Sequence, residues 1–284
     1  MNDRNINSIF LLTIALILTV SGASAAQIIN VQPSLNVEEP NGITGEVAAE
    51  GSWKTGNSEW LRITGGLSTR YRQDRHHVYL MASGRYFSSA DDSFDKQIAE
   101  HARYRFDLTE WLAPETYAQH EYNEFRRLLV RLLGGVGPRF TPYKSDIFYV
   151  AIGTSYMLEY ERLNDVKDDS GIPFVDASDS ELNHRWSNYI SWNLVIDKRL
   201  QLSNTNYYQP RFDDFKDFRI LSELSFAVQI VGTFSLKITG SVSYDSRPAI
   251  SVKRFDSLLG FGLGLTFGPF FSKETPAPSQ PEAG

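Results

Sequence analysis

The sequence has 284 residues, no cysteine, 13% aromatic residues, 20 glycines and a formal net charge of -6. The missing cysteine rules out disulfides, thiolate metal sites and thiol nucleophiles. The basic residues fall singly, mostly at alternate positions, so the clustered basic surface that nucleic-acid binding needs is absent.

The chain opens with the pattern of an export signal. Arg4 lies in a polar leader, Ile9 to Val20 form an apolar run, and Ala23-Ser24-Ala25 fits a small-x-small cleavage site. That run is shorter than the ~20 residues a membrane helix needs. Residues 1–25 therefore read as a signal peptide, with an uncleaved anchor as the alternative. No cysteine follows to carry a lipid. Residues 26–42 read as a short periplasmic lead-in, with a strap inside a barrel lumen as the alternative.

From residue 43 the pattern is period-two alternation broken by turn residues, the signature of strands with one apolar and one polar face. Segments fall near 43–54, then Leu61, Ile63, Leu67 and Tyr71 against Arg62, Thr64, Ser68, Arg70 and Arg72. Val78, Leu80, Ala82 and Tyr86 alternate with His77, Tyr79, Ser83 and Arg85. Further segments lie near 94–107, 112–125 and 128–140. Phe148, Val150, Ile152, Tyr156, Leu158 and Tyr160 alternate with Tyr149, Gly153, Ser155, Glu159 and Glu161. Ile190, Trp192, Leu194 and Ile196 oppose Tyr189, Ser191 and Asn193. Segment 199–212 has the most blurred apolar face, because Asn204, Asn206 and Tyr208 interrupt it; 217–230 follows. The cleanest alternation is Phe234, Leu236, Ile238, Gly240, Val242 and Tyr244, and the last is Leu259, Phe261, Leu263, Leu265 and Phe267. No stretch reaches ~18 apolar residues; the best, Leu128 to Val136, is interrupted by Arg131.

About twelve such segments predict an all-β fold: a transmembrane, antiparallel, up-and-down β-barrel over 43–268. The segments match or exceed the ~9–11 residues of a membrane strand, whereas soluble strands usually stop near five or six. Their apolar faces often end in aromatics (Trp53, Tyr71, Tyr86, Tyr122, Tyr160, Tyr244, Phe267), as interfacial girdles require. Their polar faces are too charged to pack a sandwich interior. With both termini periplasmic, the connections at Gln73–His76, Leu108–Glu110, Thr141–Ser145, Asp197–Arg199 and Val231–Thr233 are short inner turns. The longest, 163–181, falls outside the cell, where its carboxylates and few apolar residues predict mobility. After Phe267 a tail with Pro276, Pro278 and Pro281 reads as disordered and periplasmic over 269–284.

Trp53-Lys54-Thr55-Gly56-Asn57-Ser58, the strand end Ser68-Thr69-Arg70-Tyr71, Gly84-Arg85-Tyr86, Tyr104-Arg105-Phe106, Tyr117 to Phe125 and Leu132 to Pro138 occur in an order that resembles the salt-induced outer-membrane protein family (YdiY-like). The resemblance covers nearly the whole mature chain. It implies an outer-membrane barrel of unknown activity linked to salt stress, with no catalytic residues to carry over.

Alternation points Arg62, Arg70, Arg72, Arg85, Arg103, Arg105, Arg127, Arg131 and Arg139 inward, facing Glu46, Glu50, Asp107, Glu115 and Glu121, with Glu159, Glu161 and Glu223 on the far wall. Arginines in a small lumen must be paired or hydrated, so these predict cross-strand ion pairs that constrict the passage together with Tyr117 and Tyr149. Competing sites read as bland. His184 and Ser187 are three residues apart on one strand and so face opposite ways, unlike a nucleophile and its base. His120 and Glu121 are adjacent and also opposed. His76-His77 reads as a solvated turn, and the acidic 165–179 loop lacks calcium-hand spacing. Glycines 260, 262, 264 and 268 alternate in a strand and do not open a helix.

The expectation is a non-enzymatic outer-membrane barrel, structural or a narrow channel, with no cofactor. The alternative is an outer-membrane hydrolase, phospholipase- or protease-like, with its site at the extracellular rim. The partners expected are outer-membrane lipid and lipopolysaccharide, together with the barrel-assembly machinery and periplasmic chaperones; no nucleic acid is expected.

Overall fold

The computed structural model describes residues 28–32, 41–54, 60–89, 94–165, 167, 171–176, 179–197 and 199–267. The signal peptide of 1–25, the Thr55-Gly56-Asn57-Ser58 turn and the tail of 269–284 lie outside them.

The strands are β1 (Gly42–Lys54), β2 (Trp60–Gln73), β3 (His76–Ser89), β4 (Phe94–Phe106), β5 (Leu112–Asn123), β6 (Leu128–Lys144), β7 (Phe148–Leu163), β8 (Ser180–Asp197), β9 (Leu200–Pro210), β10 (Phe218–Val231), β11 (Phe234–Asp245) and β12 (Phe255–Phe267). Each pairs antiparallel with its chain neighbours, and β1 closes on β12 through Gly45↔Phe267 to Ala49↔Leu263. The result is a closed twelve-stranded barrel. An even count lets the first and last strands meet antiparallel, which leaves no edge of unpaired N–H and C=O groups.

The turns at one end are short because they can be. Asp74 (φ 52°) and Gly232 (φ 54°) take the left-handed conformation that a tight hairpin needs. One inner turn is shorter than the sequence suggests: β6 runs on through Lys144, so the chain reverses over 145–147 and not over 141–145. A register shift between Phe140 and Tyr143 lets the strand continue past the expected break.

The long outer connection is held down at its described residues. Arg127 Nη1 donates to Asp176 Oδ1 at 2.7 Å, the Ile250 N–H donates to Asp176 Oδ2 at 2.9 Å, and the Arg127 guanidinium stacks 4.6 Å from the Phe174 ring centroid. The mobility expected from composition is therefore opposed here by a buried arginine. Arg127 itself is not on a strand. It sits in the β5–β6 turn at φ 58° and ties Asp176 to the Ile250 carbonyl instead of lining the wall.

The outer wall carries two aromatic rows. Trp111–Phe140, Tyr143–Phe148 and Phe148–Trp192 pack near the short-turn ends of their strands. Tyr156–Phe212, Trp186–Phe215, Tyr208–Phe218 and Phe218–Tyr244 pack near the outer ends. Between them Ile152, Ile190, Val242, Leu259, Phe261 and Leu263 are exposed. Such large apolar side chains stay outward only where the solvent is hydrocarbon.

Candidate functional site

The inner wall is where the charges go. At its outer end, Glu159 of β7 is fully buried and collects three arginines from three other strands. Arg131 of β6 donates to it through Nε at 3.0 Å and also through Nη2, Arg185 of β8 through Nε at 2.9 Å, and Arg219 of β10 through Nη1 at 2.7 and 2.8 Å. Each arginine has a further acid. Arg131 lies 3.4 Å from Glu121 and 3.2 Å from Glu161, Arg185 3.1 Å from Asp217, and Arg219 2.8 Å from Glu161 and 3.5 Å from Asp245. Above them Arg126 pairs with Asp256. A carboxylate stripped of water is tolerable only with its lone pairs filled, and here arginines fill them, two from the flanking strands β6 and β8 and one from β10 further round the wall.

A second cluster lies below. Arg103 donates to Glu115 at 2.7 Å, Tyr189 OH donates to the same oxygen at 3.0 Å, and Arg139 lies 3.5 Å from the other. Arg139 also donates to Tyr189 OH at 2.9 Å and Tyr149 OH at 3.1 Å. Two tyrosines are bent flat over glycines directly opposite in register. A Cβ on Gly135 would lie 2.3 Å from Tyr117 Cζ, and one on Gly153 would lie 2.1 Å from Tyr189 Cε1. Only glycine lets those rings fold down across the passage.

Residues 28–32 lie inside the lumen and not below it. Ile28 packs with Ala151, Tyr189, Tyr207 and Leu221; Arg139 donates to Gln32 Oε1 at 2.5 Å; Asn30 Nδ2 donates to Glu223 at 2.9 Å. The segment brings apolar Ile28 and Val31 into a charged tube. It can do so because Leu221, Ala151 and the tyrosine rings form one apolar patch on the inner wall. Between this segment and the strands a void of about 30 Å³ remains. That is room for a water or two.

The mouth at the short-turn end is a wider vestibule of about 880 Å³, with Arg72, Arg75, His77, Arg105 and Lys144 among its walls. His77 Nε2 lies 2.7 Å from Asp107, and Arg105 Nε 3.2 Å from it. Partial burial raises the Asp107 pKa, but the His77 hydrogen bond and the Arg105 charge outweigh it and hold the carboxyl below its ordinary range.

Of the residues singled out in the sequence, Arg70, Arg103, Glu115, Glu121, Arg131 and Glu159 are buried in the lumen, and Arg105 and Glu223 line it half-buried. Arg62 lies over the Phe87 ring at 5.6 Å, and Arg85 stands opposite Gln97. Alternation put Asp245 on the polar face of the 234–245 segment, but it did not pick out Arg185, Arg219, Asp217 or Gln32. Arg185 and Arg219 could have been found by extending the alternation of β8 and β10 to their outer ends. Gln32 and the residues beside it have no alternation to follow.

The rim sites do not assemble. Ser187 is buried in the lumen, while His184 is on the outer wall, bonded to the Tyr156 hydroxyl. His120 is outside too, 3.0 Å from Glu100, while Glu121 is inside.

A closed barrel with a hydrocarbon-facing belt, two aromatic rows and a charged interior is a transmembrane β-barrel of the outer-membrane class. Over residues 47–267 the chain matches the family described as a protein of unknown function, DUF481, and it belongs to that family. No curated protein matches the sequence. Among solved structures, an outer-membrane channel of Pseudomonas putida F1 superposes with a TM-score of 0.52 at 11% identity, covering 84% of this chain and 100% of that one. The translocator domain of autotransporter NalP from Neisseria meningitidis gives 0.48 at 12% identity, covering 93% and 98%. The NanC porin gives 0.47 at 10%, covering 80% and 99%. At such identities the P. putida likeness speaks for the fold alone.

Proposed function

We propose that this protein is a non-enzymatic outer-membrane barrel whose lumen is filled by its own side chains, so that it passes small ions narrowly or not at all. The observation that carries this reading is the Glu159 cluster, in which arginines of β6, β8 and β10 converge on one buried carboxylate inside the barrel. Residues 28–32 fill the space below it. The role in salt or osmotic stress that the family resemblance implies fits a barrel that seals the envelope and does not open it. A rim hydrolase has less to recommend it, since His184 and Ser187 stand on opposite sides of the wall.

The test is planar-bilayer conductance of refolded protein in varied salts, beside a variant lacking residues 27–33. The full chain is expected to give small or no steps, and removal of the segment to enlarge them. Large open-pore steps from the full chain would refute the reading.

A further inference from the structure

Between its aromatic rows the outer wall is largely apolar, apart from the Glu100–His120 pair and the face of β7–β9. On β7 the outward residues between Phe148 and Tyr156 are Val150, Ile152 and Thr154. On β8, between Trp192 and Trp186, they are Ile190 and Asn188. On β9, below Tyr208, they are Asn206 and Asn204. Register sets these side by side: Thr154 opposite Asn188, Ile190 opposite Asn206, Trp192 opposite Asn204, and Asn206 opposite Ser222 of β10. An uncharged polar patch therefore lies between the two aromatic rows, at the depth of the acyl chains. The far wall at the same depth offers Val47, Leu236, Ile238, Leu259, Phe261 and Leu263, with no amide among them.

Hydrocarbon offers no hydrogen-bond partner, so each polar group on this wall must find one in protein. Asn188 does. Its Nδ2 donates to the carbonyls of Trp186 (3.1 Å) and Tyr208 (3.5 Å), and its Oδ1 accepts from Thr154 Oγ1 at 2.8 Å. Asn204 Nδ2 donates to the Glu223 carbonyl at 2.9 Å, and Asn206 Nδ2 donates to Asn204 Oδ1 at 2.6 Å. That leaves one amide N–H on Asn204, one on Asn206 and the Asn206 Oδ1 with no partner among the described residues. The patch thus presents donors and an acceptor together, without charge.

We propose that a second copy of this chain packs against β7–β9 in the plane of the membrane, with Asn204 and Asn206 meeting their own counterparts across a two-fold axis. An amide is its own complement, since it carries donor and acceptor alike. A two-fold contact requires just such a self-complementary patch. Lipid headgroups lie beyond the aromatic rows, and no charge on the patch calls for an ionised partner.

The absence of native cysteine makes the test clean. Asn206→Cys and Leu263→Cys would each be oxidised in isolated outer membranes, and the wild-type and Asn204→Leu/Asn206→Leu proteins weighed in detergent by native mass spectrometry. The expected results are a disulfide-linked band at twice the chain mass from Asn206→Cys and none from Leu263→Cys, a dimeric wild type, and a monomeric leucine variant that still shows the gel shift of a folded barrel. A monomeric wild type without cross-links would overturn the proposal. So would equal cross-linking from Leu263→Cys, a cross-link to a protein of another mass, or a leucine variant that stays dimeric.

Discussion

Glu159 has no exposed surface, and its two oxygens take hydrogen bonds from Arg131, Arg185 and Arg219. Replacing it by glutamine keeps the shape and removes the charge that the three guanidiniums share. Breaking a buried ion pair on one side typically costs about 3–5 kcal/mol. Because Glu121, Glu161, Asp217 and Asp245 remain, the lower end applies, and Glu159→Gln should lose about 3 kcal/mol in urea unfolding from lipid. Glu181 pairs with Arg211 at 3.7 Å while largely exposed, so Glu181→Gln should change little. Equal losses for the two would mean that the Glu159 cluster is not the dry site its burial indicates.

At the level of the strand, each element must satisfy two solvents at once. β12 shows this: Leu259, Phe261, Leu263 and Leu265 are exposed on the outer wall, while Gly262, Gly264 and Thr266 turn inward. Leu263→Arg places a guanidinium near the bilayer midplane, at a cost of ~2–4 kcal/mol, and Thr266→Arg, facing the lumen, should cost much less. Refolding into lipid and titrating with urea measures both. Comparable costs would mean that the register of β12 is off by one residue, since a one-residue slip exchanges the faces. β9 carries a different lesson. Its blurred apolar face is not an error of register, because Tyr207 and Gln209 point inward and are buried while Asn204 and Asn206 remain on the outer wall.

For the whole molecule, the charges are unevenly divided along the axis. The outer end sets Arg126, Arg131, Arg185 and Arg219 against Glu121, Glu159, Glu161, Asp217, Asp245 and Asp256, a small acidic excess. The short-turn end sets Arg70, Arg72, Arg75, Arg103, Arg105, Arg139 and Lys144 against Asp74, Asp107, Glu110 and Glu115, a larger basic excess. Any current through the barrel should therefore show a mild anion preference. It should fade as salt rises, because the Debye length falls from ~10 Å at 0.1 M to ~3 Å at 1 M. Reversal potentials in a salt gradient measure this; cation preference at low salt would contradict the charge assignment.

Strand number, face assignment and the charged lumen were legible in the chain itself. Period-two alternation is a local property, and a side chain's face follows from its parity: Leu236 and Lys237, or Glu121 and His120, separate without knowledge of the fold. Parity says nothing about which charges meet across the tube. That Glu159 receives Arg131, Arg185 and Arg219 depends on the stagger of β6, β7, β8 and β10 and on the curvature that closes β1 on β12. Residues 28–32 have no alternation, so their place among Tyr189, Tyr207 and Leu221 emerges only once those side chains have built an apolar patch to receive them. Local sequence decides which solvent each side chain faces; closure of the barrel decides which partner it finds.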